Sequence, residues 1–141
     1  MTKHRFAILV LLLVLPIGAA SAQVGDGDQA AIRQVIESQM TAFRRDDAAD
    51  AYSYASPVIQ QKFGNAEFFM EMVRTGYPAV YRPREVEFRD LTQEGGRLIQ
   101  RVYVVGPDGK AVLALYDMQR QPDGTWRING CYFAPAPDQS V

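Results

Sequence analysis

Histidine is nearly missing from this sequence of 141 residues. The single one, His4, lies in a leading segment expected to be removed, so the mature chain would hold none. That absence excludes Ser-His and Cys-His triads and zinc sites with imidazole ligands. Cysteine occurs once, as Cys131, too few for a thiolate cluster or an internal disulfide. Any acid–base chemistry would fall to Asp, Glu, Tyr or Cys, and no metal or organic cofactor is expected. Basic runs are missing as well. Without Lys3 and Arg5 the chain keeps 13 of its 15 basic side chains against 16 acidic ones, a formal charge of −3. Such a surface has no electrostatic footprint for nucleic acid.

The leading segment has the order of a secretory signal peptide. Lys3 and Arg5 open it, the apolar run Phe6 to Leu15 follows, Pro16 and Gly18 interrupt it, and the small residues Ala20-Ser21-Ala22 end it. Cleavage is expected after Ala22. The apolar run is shorter than the ~20 residues of a spanning helix, so no membrane association is expected after cleavage. No cysteine follows the cleavage point and no Arg-Arg pair precedes the run, so neither a lipid anchor nor twin-arginine export is indicated. A periplasmic or secreted protein normally meets an oxidising environment. Cys131 is then either a free buried thiol or paired with another chain. The remaining 119 residues are enough for one core, burying on the order of two-thirds of the unfolded surface.

Residues 23–27 read as a polar, glycine-rich lead, 28–135 as one domain, and 136–141 as a disordered tail. Asp28 is expected to cap a helix over about Gln29 to Arg45, because Ile32, Val35, Ile36, Met40 and Phe43 recur at three- and four-residue steps. Asp46-Asp47 ends it and caps a second helix. Ser56-Pro57 opens a short third, closed by Gly64. Asn65 caps a fourth, with Gly76 expected just past its end. The segment Tyr77 to Pro83, with two prolines and no period, reads as a crossing loop. The period then changes to two. Four strands follow, and Pro-Asp-Gly occupies two of their connections, at 107–109 and 122–124. That tripeptide suits a three-residue hairpin loop with a left-handed Gly. The expected fold is α+β: N-terminal helices packed in a strongly curved antiparallel four-stranded sheet.

The loop type sets the register. Pairing Gly106 with Lys110 brings Val102 opposite Ala114, and pairing Gln121 with Thr125 brings Met118 opposite Ile128. One face then collects Leu98, Val102, Val104, Val112, Ala114, Tyr116, Met118, Trp126, Ile128 and Tyr132, and should meet the helices. The other collects Ile99, Arg101, Tyr103, Val105, Leu113, Leu115, Asp117, Asn129, Cys131 and Phe133. A bulge near Gly130 would exchange Cys131 to the first face. The second face lacks the clean alternation of a wet sheet, so a homodimer through the sheet is expected.

The stretch Phe63 to Pro83, "FGNAEFFMEMVRTGYPAVYRP", and the later "PDGTWRINGCYF" resemble an uncharacterised bacterial family, domain of unknown function 4864, over Ala30 to Phe133. The resemblance implies the nuclear-transport-factor-2-like superfamily, a cystatin-like α+β cone of helices inside a bent sheet, often dimeric. It implies no activity, since the superfamily includes isomerases, dehydratases, ligand binders and protein modules.

Two function classes follow. In the first the protein is a non-catalytic ligand-binding or assembly module, with Arg101, Asp117, Asn129, Tyr77 and Tyr81 around a modest cavity that takes a small apolar or anionic ligand. In the second it is a cofactor-free isomerase- or dehydratase-like enzyme, with Asp117 as acid or base and Tyr103 or Tyr116 as hydrogen-bond donor. Asp117 interrupts an otherwise apolar strand, opposite Asn129 and diagonal to Arg101 in the expected register. The competing structural reading pairs it with Arg101 and Asn129. Cys131 is read as packing beside Gly130, or as an intermolecular disulfide or redox group. The aromatic set Phe43, Tyr52, Phe63, Phe68, Phe69, Tyr77 and Tyr81 divides between core and pocket wall. Arg74, Arg82 and Arg84 either attract an anion or are solvated loop charges.

Overall fold

In a computed structural model that describes residues 24–137, the apolar stripe of the first helix becomes the centre of the core. Helix α1 (Asp26–Arg44) buries Ile32, Ile36, Met40 and Phe43. It starts before the expected point: Gly25 is the N-cap, and Asp28 sits one turn in, where its carboxylate accepts from the Gly25 N–H. The carboxylate also accepts from Arg120 and from Trp126 Nε1, so a helix-terminal acid is tied to the far hairpin. Residues expected in the lead therefore join the helix, whose exposed N–H groups favour negative charge in the first turn.

The next three helices follow their caps. Asp47 accepts from Asp50 N–H at the start of α2 (Ala48–Ser53). Ser56 accepts from Ile59 N–H, and Pro57 opens α3 (Pro57–Phe63). Gly64, at φ +81°, ends α3 in a conformation that costs a residue without Cβ little. Asn65 accepts from Phe68 N–H at 2.8 Å to start α4 (Ala66–Gly76). Gly76 is the last residue of α4 and has no positive φ, unlike the expected left-handed stop. The crossing segment is not all loop either: Pro78 opens a single helical turn, α5 (Pro78–Tyr81), because its fixed φ suits a first helical position.

The sheet runs β1 (Glu85–Glu94), β2 (Arg97–Val105), β3 (Ala111–Arg120) and β4 (Trp126–Pro135), antiparallel in that order. The two Pro-Asp-Gly loops are near copies. Gly106 N–H donates to Lys110 O at 2.9 Å and Gln121 N–H to Thr125 O at 2.7 Å. Gly109 and Gly124 have φ of +79° and +86°, and Asp108 and Asp123 each accept from the N–H two residues on. Val102 pairs with Ala114 and Met118 with Ile128, as the loops require.

Two bulges bend this ladder. In β1 the register shifts between Phe88 and Leu91. The buried Gln100 amide donates to Arg89 O at 2.9 Å there, so a buried side-chain donor is matched at the bend. In β4 Gly130 pairs with Asp117 and Ile128 with Met118, which leaves Asn129 as the extra residue. Beyond it the faces exchange. Cys131 and Phe133, expected outside, pair with Tyr116 and Ala114 on the helix side, and Tyr132, expected inside, turns outward opposite Leu115. The core fills the concave side, where Phe69, Met70 and Val73 of α4 share one buried cluster with the α1 stripe and with Val102, Val104, Ala114 and Met118 of the sheet. A short bridge closes the helical layer onto the edge strand: Ser56 N–H donates to Ile128 O and Ile128 N–H to Tyr54 O, both at 2.8 Å. Ala136, placed in the tail by its sequence, is buried. The expected signal peptide lies outside the described residues, and no helix among those described is long and apolar enough to cross a membrane.

Candidate functional site

The concave side is not completely filled. A cavity of about 170 Å³ lies between α1, α3, α4 and the β3–β4 pair. Phe43 and Gln39 of α1 form its floor, Phe63, Phe69 and Val73 one wall, and Tyr116, Asn129 and Cys131 the other. Aromatic packing fixes the helical wall: Phe69 touches Phe43, Tyr52 and Phe63 with ring centroids 5.5–6.3 Å apart. Tyr77 sits at the rim, edge-on to Phe133 at 5.1 Å. The bulge at Asn129 creates the sheet wall, since it turns Cys131 inward beside Tyr116 and leaves Asn129 facing the helices. There Asn129 Oδ1 accepts from Ser56 Oγ at 2.7 Å.

Tyr116 is the most unusual member. It is the largest of the fully enclosed side chains, and its hydroxyl has no hydrogen-bond partner among the described residues. Such a group is costly, because a buried donor forfeits its water without replacement. Burial pushes its pKa well above the ordinary tyrosine value, and the neighbouring Cys131 adds to this. Burial also pushes the Cys131 thiol up to about 12, against a smaller opposing effect of the nearby Tyr116 hydroxyl, which lies beside the sulfur without hydrogen-bond geometry. Desolvation raises Tyr77 in the same direction. All three groups are therefore neutral at physiological pH, and the cavity is uncharged except for Lys62. That ammonium lies 5.7 Å above the Phe63 ring.

The expected site residues divide. Tyr77 and Asn129 line the cavity, with Tyr116. Asp117, Arg101 and Tyr103 do not: their Cα partners Ile99, Leu115 and Leu113 put them on the convex face. Asp117 is 4% exposed, yet its carboxylate meets Arg97 at 3.6 Å rather than Arg101. Arg101 pairs with Asp90 instead. The expected Asp117–Asn129 contact is absent because the bulge hands Asn129 to Ser56. Asp117 and Tyr116 are consecutive, so a strand sends them to opposite faces, and they cannot act together on one molecule. Tyr103 lies under the Arg89 guanidinium at 5.1 Å. Tyr81 also stays outside. Its ring packs on Phe43, its hydroxyl donates to Asp46, and Arg82 lies 4.0 Å above its ring. Asp46 engages Arg82 at 3.0 Å and Arg74 at 3.8 Å as well. The Tyr81 hydrogen bond first, then Arg82, holds the Asp46 pKa below its ordinary value, against a contribution from burial. Two of the three arginines expected to attract an anion thus already face a carboxylate.

Gln39 and Ser56 escaped the sequence reading. Gln39 is a polar residue inside the apolar stripe of α1, and its Nε2 donates to Ala51 O at 3.1 Å. That interruption was the available signal. Ser56 was read as a helix cap, and its second role could be seen only once the bulge brought Asn129 to it.

The family described as Domain of unknown function (DUF4864) matches residues 26–141. No curated protein matches the chain. Among solved structures, a protein of unknown function with a cystatin-like fold from Nostoc punctiforme is 10% identical with a TM-score of 0.51, covering 81% of this chain and 95% of its own. An NTF-2 like protein of unknown function from Burkholderia xenovorans LB400 is 16% identical with a TM-score of 0.47, covering 79% and 89%. The former supports the fold: helices followed by a curved, unclosed four-stranded antiparallel sheet.

Proposed function

The chain belongs to the DUF4864 family, a domain of unknown function, and we propose that it is a non-catalytic binding protein whose concave cavity takes one small, mainly apolar molecule. The observation that carries this reading is the 170 Å³ space lined by aromatic and aliphatic side chains around an unmatched tyrosine hydroxyl. A dry cavity of about 150 Å³ admits benzene, so a one-ring compound or a short branched chain is the right size. The alternative enzyme loses its base: the residues lining the cavity include no carboxylate, and Tyr116 and Cys131, both held protonated, cannot accept a proton there.

Two further features belong to the proposal. The protein is exported, with cleavage after Ala22. The order of charges, apolar run and small residues supports this, and N-terminal sequencing of the protein recovered from a periplasmic or culture fraction checks it. It also forms a homodimer through the convex sheet face. Support comes from the partly exposed Leu115 there and from Tyr132, which is 53% exposed. Sedimentation of wild type and Leu115→Arg checks this: a dimer and a monomer are expected, and a wild-type monomer overturns it.

Binding is tested by thermal shift with one-ring compounds. A ligand at a hundred times its Kd stabilises the native state by about 2.7 kcal/mol, a rise of several degrees for a domain this size. Met72→Trp, which fills the cavity from α4, should abolish the shift. A shift that survives the filling places binding elsewhere, and no shift with any compound overturns the reading.

A further inference from the structure

Resting on that reading, we infer that the cavity selects an uncharged carbonyl compound, whose oxygen accepts from the Tyr116 hydroxyl and the Asn129 amide. Three observations lead there. The Tyr116 hydroxyl is enclosed and makes no hydrogen bond among the described residues. The Asn129 oxygen is occupied by Ser56, so what that side chain still offers is its NH₂ group. The sheet wall therefore presents two donors, and an acceptor completes them.

The same wall discriminates against the neighbouring ligand classes. A pure hydrocarbon of the same shape would fill the space and leave both donors unmatched. A carboxylate would satisfy them but would bring a full charge into an apolar enclosure. The one cation of the lining, Lys62, lies over the outer ring of Phe63. On the floor Gln39 spends its nitrogen on Ala51 O, so its oxygen is what remains, and that oxygen repels an anion. A neutral ketone, ester or amide oxygen on a body the size of one ring fits this lining.

The test uses three probes of nearly one shape on the full protein: acetophenone, ethylbenzene and benzoate, measured by calorimetry. Acetophenone should bind about tenfold tighter than ethylbenzene, the value of one buried hydrogen bond, and benzoate more weakly than either. Tyr116→Phe should bring acetophenone toward the ethylbenzene level, the Asn129 amide keeping the remainder of the difference. A second readout does not depend on that variant folding: the infrared carbonyl stretch of bound acetophenone should move below its position in hexane. Equal binding of acetophenone and ethylbenzene, a hexane-like stretch, or tightest binding by benzoate each overturns the carbonyl inference while leaving the cavity reading intact. Binding of none of the three overturns both.

Discussion

Tyr116 and Asp117 are neighbours on β3, both almost wholly buried, and they meet opposite fates. Tyr116 turns into the concave cavity, where nothing answers its hydroxyl. Asp117 turns to the convex face, where Arg97 answers its charge. The difference shows what burial alone fails to tell. A buried carboxylate suggests a site, yet this one is matched by a cation and lies on the face away from the cavity. The neutral phenol beside it is the group left wanting a partner, and such a group points to a ligand more directly than the charged one does.

The largest expected contrast is in thiol reactivity, because Cys131, itself partly buried, lies against the enclosed Tyr116. With its pKa moved from 9.0 to about 12, its thiolate fraction at pH 8 falls on the order of a thousandfold, and modification by a disulfide reagent should slow accordingly in the native protein relative to the denatured one. The sign extends to stability. A folded-state pKa raised above the unfolded value favours folding fully below pH 9, and that contribution is lost as pH rises from 9 toward 12. Tyr116 acts in the same direction. Denaturant midpoints that stay flat across that interval would contradict the enclosure.

Truncation on the two faces of β3 should differ next. Met118→Ala on the concave face should cost 2–5 kcal/mol by urea unfolding, roughly the range for a buried methionine. Leu115→Ala on the convex face, half-exposed in one subunit, should cost less than about 1 kcal/mol at concentrations where the protein is monomeric. Equal costs would erase the distinction between faces. Smaller again, Tyr116→Phe should stabilise the ligand-free protein by about 1 kcal/mol, since it removes a buried donor without a partner. Smallest of all is Asp117→Asn, expected within about 1 kcal/mol because Arg97 is largely exposed and such pairs are screened. A loss of several kcal/mol there would mean that the convex carboxylate organises the fold.

The fold was readable where short-range chemistry decides it. Caps at Asp47, Ser56 and Asn65, and the repeated Pro-Asp-Gly loops, fix helix starts and strand register through contacts within a few residues, and these agree with the structure. The helix start at Gly25 and the turn at Pro78 were missed because glycine-rich and proline-rich stretches mask helix beginnings. The site was readable only in part. One extra residue at Asn129 exchanges Cys131 and Phe133 with Tyr132, and a bulge of that kind depends on the neighbouring strand and the helices above it. Asn-Gly at 129–130 hinted at it. Asp117 drew attention because a charged residue in an apolar strand is conspicuous in sequence, whereas a tyrosine lacking an acceptor is visible only in three dimensions.

A crystal structure of the protein grown with acetophenone tests the central claim most directly. The account predicts the ketone inside the concave cavity with its oxygen about 2.7–2.8 Å from Tyr116 Oη. A cavity that stays without the ketone, or a ketone seated on the convex face beside Asp117 and Arg97, would contradict it.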